Sequence, residues 1–446
     1  MIKKIGFVSL GCAKNLTDTE TMLGILTDKG YGITADVTEA DIIVVNTCAF
    51  IDSAKEESIS AILEMALYKE QKCELLIVCG CLAQRYREDI EVSLPEVDII
   101  LGTTDYARIA EVIDCYYTKG EKLSFVGDAN SIVGYDLPRI RTTASYTAYV
   151  KIADGCDNFC TYCIIPKLRG KYKSRPMESI LNEVKALAKE GVKEVILIAQ
   201  DTACYGKDGE KYDLADLLEQ ISAIDGIEWI RLQYCYPENI TKKLVDEIAN
   251  NPKVVKYLDM PLQHISDSVL KRMGRRSRQK EVQELIEELR KRIPNIVIRT
   301  SLIVGFPGET DEDFETLKEF LVNYPLDRVG AFTYSCEEGT PAAEFPEQIP
   351  EQIKEQRHKA IMELLQEISY KRNQDKIGNF AEAIIEGYDE DNFCYVGRTA
   401  QDTPDVDGTA YIYSKYELNA GDIVNIRILE ADEYDVTGEV ENEFTK

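Results

Sequence analysis

Histidine is nearly missing from this 446-residue chain, which holds only His264 and His358. That leaves little material for zinc sites built on imidazole or for His-centred acid–base chemistry. No run of 18 apolar residues occurs either. The opening Met-Ile-Lys-Lys-Ile-Gly runs straight into a strand-like segment, with no apolar leader and small-residue cleavage site. A membrane role is therefore not expected, and a cytoplasmic location is. Positive charge is also scarce: 52 Lys and Arg stand against 79 Asp and Glu, a net charge of −27. That balance argues against a phosphate backbone as the main source of affinity and suits a basic protein partner. With 44% hydrophobic and 29% charged residues, the chain reads as globular, and its length implies two or three domains.

What is abundant is cysteine, at thirteen. In a reducing compartment that count points to metal or redox chemistry rather than to disulfides. Cys156-Asp-Asn-Phe-Cys160-Thr-Tyr-Cys163 is a C-x3-C-x2-C run. Three thiolates this close cannot all pair as disulfides, and no fourth Cys or His lies nearby to close a zinc tetrahedron. Three ligands on a four-iron cluster leave one iron open to bind substrate; the alternative is a structural zinc or cluster site with a distant fourth ligand. Lys167, Arg169, Lys171, Lys173 and Arg175 follow. They read either as cations near an anionic cluster or as a solvated basic face.

Residues 1–127 alternate continuous apolar runs (4–10, 41–47, 74–80, 98–104) with helical stretches, the pattern of an open parallel α/β sheet covered on both faces. Ser53 and Glu56 read as a capping box ahead of the apolar positions Ile59, Ile62, Leu63 and Ala66. Cys12, Cys48 and Cys81 end the first three strands, where open α/β folds bind ligands, so the three could hold a second cluster. Cys79 shares a strand face with Cys81, and only the strand-end position favours Cys81. Cys73, Cys115, Cys204, Cys235, Cys336 and Cys394 are taken as mostly structural. Residues 128–145 lose the apolar pattern and read as a linker. Residues 146–373 carry six strand–helix units, an incomplete barrel whose chemistry belongs at the C-terminal ends of its strands; one helix, over 278–292, has Val282, Leu285, Ile286 and Leu289 on one face. Residues 374–446 are strand-like and turn-rich, a small antiparallel barrel.

The Cys156–Cys163 run resembles the signature of the radical S-adenosylmethionine (SAM) superfamily. Together with SLGCAKN (9–15), NTCAFIDSAKEES (46–58) and CGCLAQR (79–85), it resembles the methylthiotransferase branch over essentially the whole chain. The resemblance implies an N-terminal methylthiotransferase domain, a radical SAM barrel and a C-terminal TRAM domain. Within the branch the chain is closer to the RimO type, which acts on an aspartate of ribosomal protein S-twelve, through SLGCAKN, NTCAFIDSAKEESI and YSCEEGTPAA (334–343). The tRNA-modifying relatives typically read GCQMN at the first place and carry an arginine after NTC, and no arginine lies between Cys48 and Cys73. Charge points the same way: Gly378–Lys446 holds 17 acidic and 4 basic residues, a balance of −13. Such a segment repels phosphate and suits a basic ribosomal protein, or serves solubility alone.

The resemblance implies two 4Fe–4S clusters. Cys156, Cys160 and Cys163 would ligate the one that opens SAM to a deoxyadenosyl radical. Cys12, Cys48 and Cys81 would hold the auxiliary one, whose sulfur becomes methylthio, with a second SAM giving the methyl. Tyr162, Gln200, Arg299 and Gly305 are the expected SAM contacts; Asp201 and Glu309 are polar neighbours without an assigned role, and no catalytic acid or base is assigned. The implied reaction is methylthiolation at the β-carbon of an aspartate of the small-subunit protein, with an external electron donor; a tRNA partner is not expected. A tRNA adenosine methylthiotransferase and a non-catalytic iron–sulfur electron carrier are the competing readings.

Overall fold

The computed structural model describes residues 2–209 and 211–441. Its first layer is a six-stranded, wholly parallel sheet: β1 (Lys4–Ser9), β2 (Gly32–Thr34), β3 (Ile42–Thr47), β4 (Leu75–Gly80), β5 (Ile99–Leu101) and β6 (Leu123–Phe125). The spatial order is β2-β1-β3-β4-β5-β6. Every residue of β3 and β4 is buried, as continuous apolar runs require when helices cover both faces. The sequence pattern shows four of these strands. β2 and β6 are as short as β5 but only partly buried, so no continuous apolar run marks them.

Two local expectations fail. Helix α1 spans Ala13–Asp28 and α2 spans Asp52–Ala66, with Ile51 at the N-cap of α2 and no side-chain cap. Ser53 therefore lies inside the first turn, where its hydroxyl cannot cap, and the capping box does not form. The buried face of α2 is Ser58, Ile62, Met65 and Ala66, while Ile59 and Leu63 face outward.

The central sheet contains β7 (Thr147–Lys151), β10 (Glu194–Ile198), β11 (Trp229–Leu232), β12 (Val254–Asp259), β13 (Val297–Val304) and β14 (Arg328–Thr333), all parallel and in that order. A short ribbon of β8 (Ala153–Asp154) and β9 (Lys173–Ser174) follows β7. Alternation divides the strands as pleating demands. Val150, Leu197, Ile230 and Leu232 pack under the helices, whereas Tyr149, Ile196 and Ile198 form the other face and meet Ala13, Leu16 and Tyr234. The start of α1 thus sits against the inside of the partial barrel. The helix Gln279–Arg292 buries Val282, Ile286 and Leu289 as its pattern predicts.

The helix Glu351–Gln374 leads to β15 (Phe380–Asp389), β16 (Cys394–Thr399), β17 (Ala410–Tyr413), β18 (Ile423–Ala431) and β19 (Val436–Val440), a closed barrel in the order 15-16-17-19-18. It is not wholly antiparallel as expected, because β17 and β19 run parallel. The segment after β16 reaches into the larger barrel. Gln233 donates to Thr403 at 2.6 Å, Tyr257 to Asp407 at 2.7 Å and Arg328 to Asp402 at 2.6 Å. Residues 126–146 form no helix or strand. They cross α1 at Gly24, where a Cβ would meet the Pro138 carbonyl carbon at 2.4 Å, and Arg139 is tied to Glu20 and Glu183 at 2.5 Å each. Among the described residues no helix is long and apolar enough to cross a membrane.

Candidate functional site

The strand-end cysteines come together because β1, β3 and β4 are neighbours. Cys12 caps α1, Cys48 follows β3, and Cys81 opens the short helix α3 (Cys81–Arg85). Gly11 (φ +89°) permits their approach: a Cβ there would lie 2.9 Å from Cys48 Cβ and 3.1 Å from its Sγ. Ser58 clamps the Cys48 peptide, accepting from its N–H at 3.0 Å and donating to its carbonyl at 2.9 Å. Asn15 donates to the carbonyls of Leu10 (3.0 Å) and Thr47 (2.8 Å), stapling two strand ends. Cys79 does not share a face with Cys81. Its Sγ lies 4.0 Å from Met22 Sδ in the opposite core, because the strand ends at left-handed Gly80 (φ +91°) and the chain turns into α3.

The second trio follows β8. Gly155 (φ +78°) lies against the Lys171 carbonyl, where a Cβ would be 2.1 Å away, so only glycine fits before Cys156. The Cys156 N–H donates to Gly170 O at 3.0 Å and the Cys163 N–H to Cys160 O at 3.0 Å. Thr161 N–H donates to Met273 O at 3.0 Å, which seats the loop on the turn after the helix Asp267–Arg272.

Charge sets Cys12 apart from the other thiols of the two trios. Burial would push the Cys12 thiol up, but Lys14 and Arg169 outweigh it and hold it below the ordinary value. Burial raises Cys48, against the backbone N–H of Phe50 and with help from Cys12. Burial pushes Cys81 up to about 12, with Arg169 opposing and the other two thiols adding. Cys156 is pushed up to about 12 by burial, opposed by the Asn158 N–H and reinforced by Asp201 and Cys160. Burial, then Cys160, raises Cys163. Within each trio the thiols thus sense one another, although among the described residues no three Cys, His, Asp or Glu side chains close to metal-ligating distance. Three soft donors per set, mutually repelling as thiolates, are the chemistry an iron–sulfur cluster satisfies. The buried Oε1 of Gln200 and Oη of Tyr162 have no partner, and both stand near the second trio in the fold: Gln200 donates to Asp154 at 2.9 Å, and Tyr162 lies between two of the cysteines.

The four expected SAM contacts separate into two groups. Tyr162 and Gly305 are neighbours through Phe306, whose ring meets Tyr162 edge-on at 6.4 Å, and the Gly305 N–H donates to Glu309 at 2.8 Å. Gln200 is beside Asp154, two residues before Cys156. Arg299 faces elsewhere: it pairs with Asp259 at 2.9 Å and lies 3.9 Å from Asp407 of the small barrel. Asp201 accepts from Asn158 (2.9 Å) and Asn239 (2.6 Å), and Glu309 pairs with Arg357 at 2.9 Å.

Three contacts join the domains that carry the trios, and none is evident from spacing. Arg169, six residues past Cys163, is buried; it donates to Asp18 at 2.6 Å and Asn15 at 2.5 Å, with Cys81 Sγ 3.9 Å away. It is the buried member of the basic run, whereas Lys173 is spent on the carbonyls of Asn130 and Ser131 and Arg175 on Glu183. Lys14 reaches from α1 onto the ring of Tyr234, its Nζ 3.4 Å from the centroid. Glu337, 2% exposed, binds Lys55 of α2 and Arg85 of α3 at 2.9 Å each. These three come from three motifs that the sequence sets far apart. Glu337→Ala leaves two cations facing a buried interface, and a loss of about 3 kcal/mol is expected by thermal unfolding, with Glu337→Gln losing less. An unchanged melting temperature in both variants would dismiss the bridge as a structural tie.

Comparison with known proteins agrees with this layout. Residues 4–102 match the uncharacterised protein family UPF0004, residues 150–321 the radical SAM superfamily and residues 377–440 the TRAM domain. The ribosomal protein uS12 methylthiotransferase RimO of Acetivibrio thermocellus is 51% identical, with 100% of both chains aligned. That of Geobacter sulfurreducens is 50% identical over 98% of each. Among solved structures, the radical SAM methyltransferase TsrM of Kitasatospora setae, with cobalamin and a 4Fe–4S cluster bound, shares the fold at a TM-score of 0.57, 13% identity and 77% coverage of each chain. The cobalamin-dependent enzyme OxsB does so at 0.52 and 11% identity, covering 81% of this chain and 56% of the other.

Proposed function

Since the chain belongs to the RimO family of radical SAM methylthiotransferases, we propose that it methylthiolates the β-carbon of an aspartate in small-subunit ribosomal protein uS12, acting in the cytoplasm. The observation that carries the reading is the pair of cysteine trios on adjoining domains, with Arg169 from the loop of the second trio buried against Asp18 and Asn15 and 3.9 Å from Cys81 Sγ of the first. Cys156, Cys160 and Cys163 would hold one 4Fe–4S cluster, and Cys12, Cys48 and Cys81 the auxiliary one. When bound, the first supplies the electron that opens SAM to a radical able to take hydrogen from an unactivated carbon, and the second supplies the sulfur.

The chain's own residues position and enclose. Gly155 and Gly11 let the two cysteine loops approach what they face, and Ser58 and Asn15 fix the strand ends from which Cys12 and Cys48 project. Arg169 brings positive charge to the first trio, which favours anionic thiolates at Cys12, Cys48 and Cys81. Gln200, Tyr162 and Gly305 line the side of the barrel mouth on which SAM would lie; Arg299, committed to Asp259, is a weaker member of that set. An external reductant would deliver the electron.

For the partner, the acidic C-terminal barrel supports a basic protein over tRNA. Part of its acid is used within the fold, Asp402 on Arg328, Glu386 on Arg398 and Asp407 on Tyr257, whereas Glu390, Asp391, Asp405, Glu417, Glu430 and Asp432 are exposed. Binding of uS12 is expected to weaken steadily as salt rises, with tRNA not retained at physiological ionic strength. Mass spectrometry after incubation with both substrates should find methylthiolated uS12 and unmodified tRNA nucleosides. Tight tRNA binding with a steep negative salt slope, or modified adenosine in tRNA, would overturn the choice of substrate.

A further inference from the structure

Of the buried cations where the parallel sheet domain meets the barrel, one has no carboxylate partner. Lys151 is paired with Asp18 and Asp154, Arg169 with the same two carboxylates, and Lys55 with Glu337. Lys14 is 8% exposed, yet among the described residues no carboxylate lies within 4 Å of its ammonium. Its company is the face of Tyr234 and the Cys12 thiol, a residue that would be committed to its own cluster. A cation–π contact offsets only part of what an ammonium loses on leaving water, so a buried ammonium kept in this arrangement is poised for an anion from outside.

Its place says which one. Lys14 stands two residues after Cys12, in the first turn of α1, whose Ala13 and Leu16 pack on Tyr149, Ile196 and Ile198 of the barrel. Tyr234 lies just past the C-terminal end of β11 and is held left-handed at φ +61°. A non-glycine residue adopts that conformation only when its surroundings enforce it. Here they do: its N–H donates to Asp259 at 3.0 Å, and its carbonyl accepts from Thr202 at 2.9 Å. Asp259, the nearest acid by electrostatic influence, is already engaged by Arg299 at 2.9 Å. The ammonium thus stands between Cys12 and the residues that follow β11, on a ring whose backbone is pinned.

We propose that Lys14 binds the side-chain carboxylate of the substrate aspartate, and so selects a carboxylate substrate and sets the position of its β-carbon. The proposal rests on the reading that an aspartate is modified. The carboxylate is the only charged group of that side chain and is bonded directly to the β-carbon, so anchoring it fixes the reacting carbon within one bond length. An adenosine offers no such anion, and the tRNA-modifying motif GCQMN carries Met where this chain has Lys14.

The test is binding, separate from turnover. Cluster-loaded wild-type protein is titrated with uS12 and with uS12 whose target aspartate is replaced by asparagine. The wild type is expected to prefer aspartate by about tenfold or more, as one desolvated charge-assisted contact implies. Lys14→Met is expected to bind the aspartate form about tenfold more weakly and to lose the preference, its ratio falling to about one, while Lys14→Arg keeps most of it. Should Lys14→Met fail to hold its iron, Lys14→Gln carries the same expectation. A wild type indifferent to the exchange, or a Lys14→Met or Lys14→Gln protein that still discriminates, would overturn the proposal. If the wild type leaves uS12 unmodified, the functional reading itself falls; if it modifies the aspartate while the Lys14 variants still discriminate, only the role of Lys14 does.

Discussion

Replacing Cys12, Cys48 and Cys81 together by alanine is expected to reduce methylthiolation by at least about a thousandfold while SAM cleavage by the same protein continues. The two trios lie in different layers: the first on the parallel sheet of β1–β6, the second on the loop after β8. Removing the first leaves untouched the hydrogen bonds that hold Cys156 and Cys163, which run to Gly170 and Cys160. Iron per chain should fall from about eight to about four if both clusters are 4Fe–4S, and deoxyadenosine should still form with SAM and dithionite. The converse triple replacement, of Cys156, Cys160 and Cys163, should abolish deoxyadenosine formation. Deoxyadenosine lost with the first set, or iron saturating at four in the wild type, would remove the auxiliary centre; no deoxyadenosine from the wild type would leave an electron carrier.

The largest expected loss of stability lies far from the cysteines, at Glu194. This carboxylate is fully buried in the barrel interior, 2.8 Å from Arg231 of β11 and in direct contact with Arg398 of β16. Arg398 also binds Glu386 at 2.9 Å, and Arg231 donates to the Ala400 carbonyl at 3.1 Å. One acid therefore neutralises two guanidiniums, one from each barrel. Glu194→Ala leaves buried Arg231 without a carboxylate and Arg398 with Glu386 alone, with an expected loss of about 3–5 kcal/mol, a large part of the 5–15 kcal/mol that ordinarily separates folded from unfolded chains. Glu194→Gln keeps an acceptor and should lose less. The acid dependence has a definite sign. Burial would raise the Glu194 carboxyl, but Arg398 and Arg231 outweigh it and hold it below the ordinary 4.5. Its contribution is therefore fully present above about pH 4.5 and is lost as pH falls through the lowered folded value. Denaturant unfolding at pH 7 and at pH 4 measures both effects, and equal stability of wild type and Glu194→Ala at pH 7 would show that the pair adds nothing.

The same network shows where reading the chain linearly stops. Net charge presents the C-terminal segment as an acidic attachment available to a partner. In the fold, Asp402 and Asp407 turn inward with the segment after β16, to meet Arg328 and Tyr257. Composition counts charges without saying which face they occupy. Helix α2 teaches a similar lesson: Ile59 and Leu63 fit an apolar period, yet Ser58 and Met65 are what the sheet covers, because the burial direction depends on where the helix lies.

The sequence by itself determined the two cysteine trios, the order of sheet, partial barrel and small barrel, and the strand-end location of Cys12, Cys48 and Cys81. These follow from local spacing and from apolar runs that only buried parallel strands explain. Only the tertiary structure decided that Cys79 faces away from Cys81, that Arg299 belongs to Asp259, and that Arg169, Glu337 and Lys14 join the sheet domain to the barrel. Those facts depend on contacts between residues tens to hundreds of positions apart. A single chain read in order carries no signal for them until the sheet and the barrel are brought face to face.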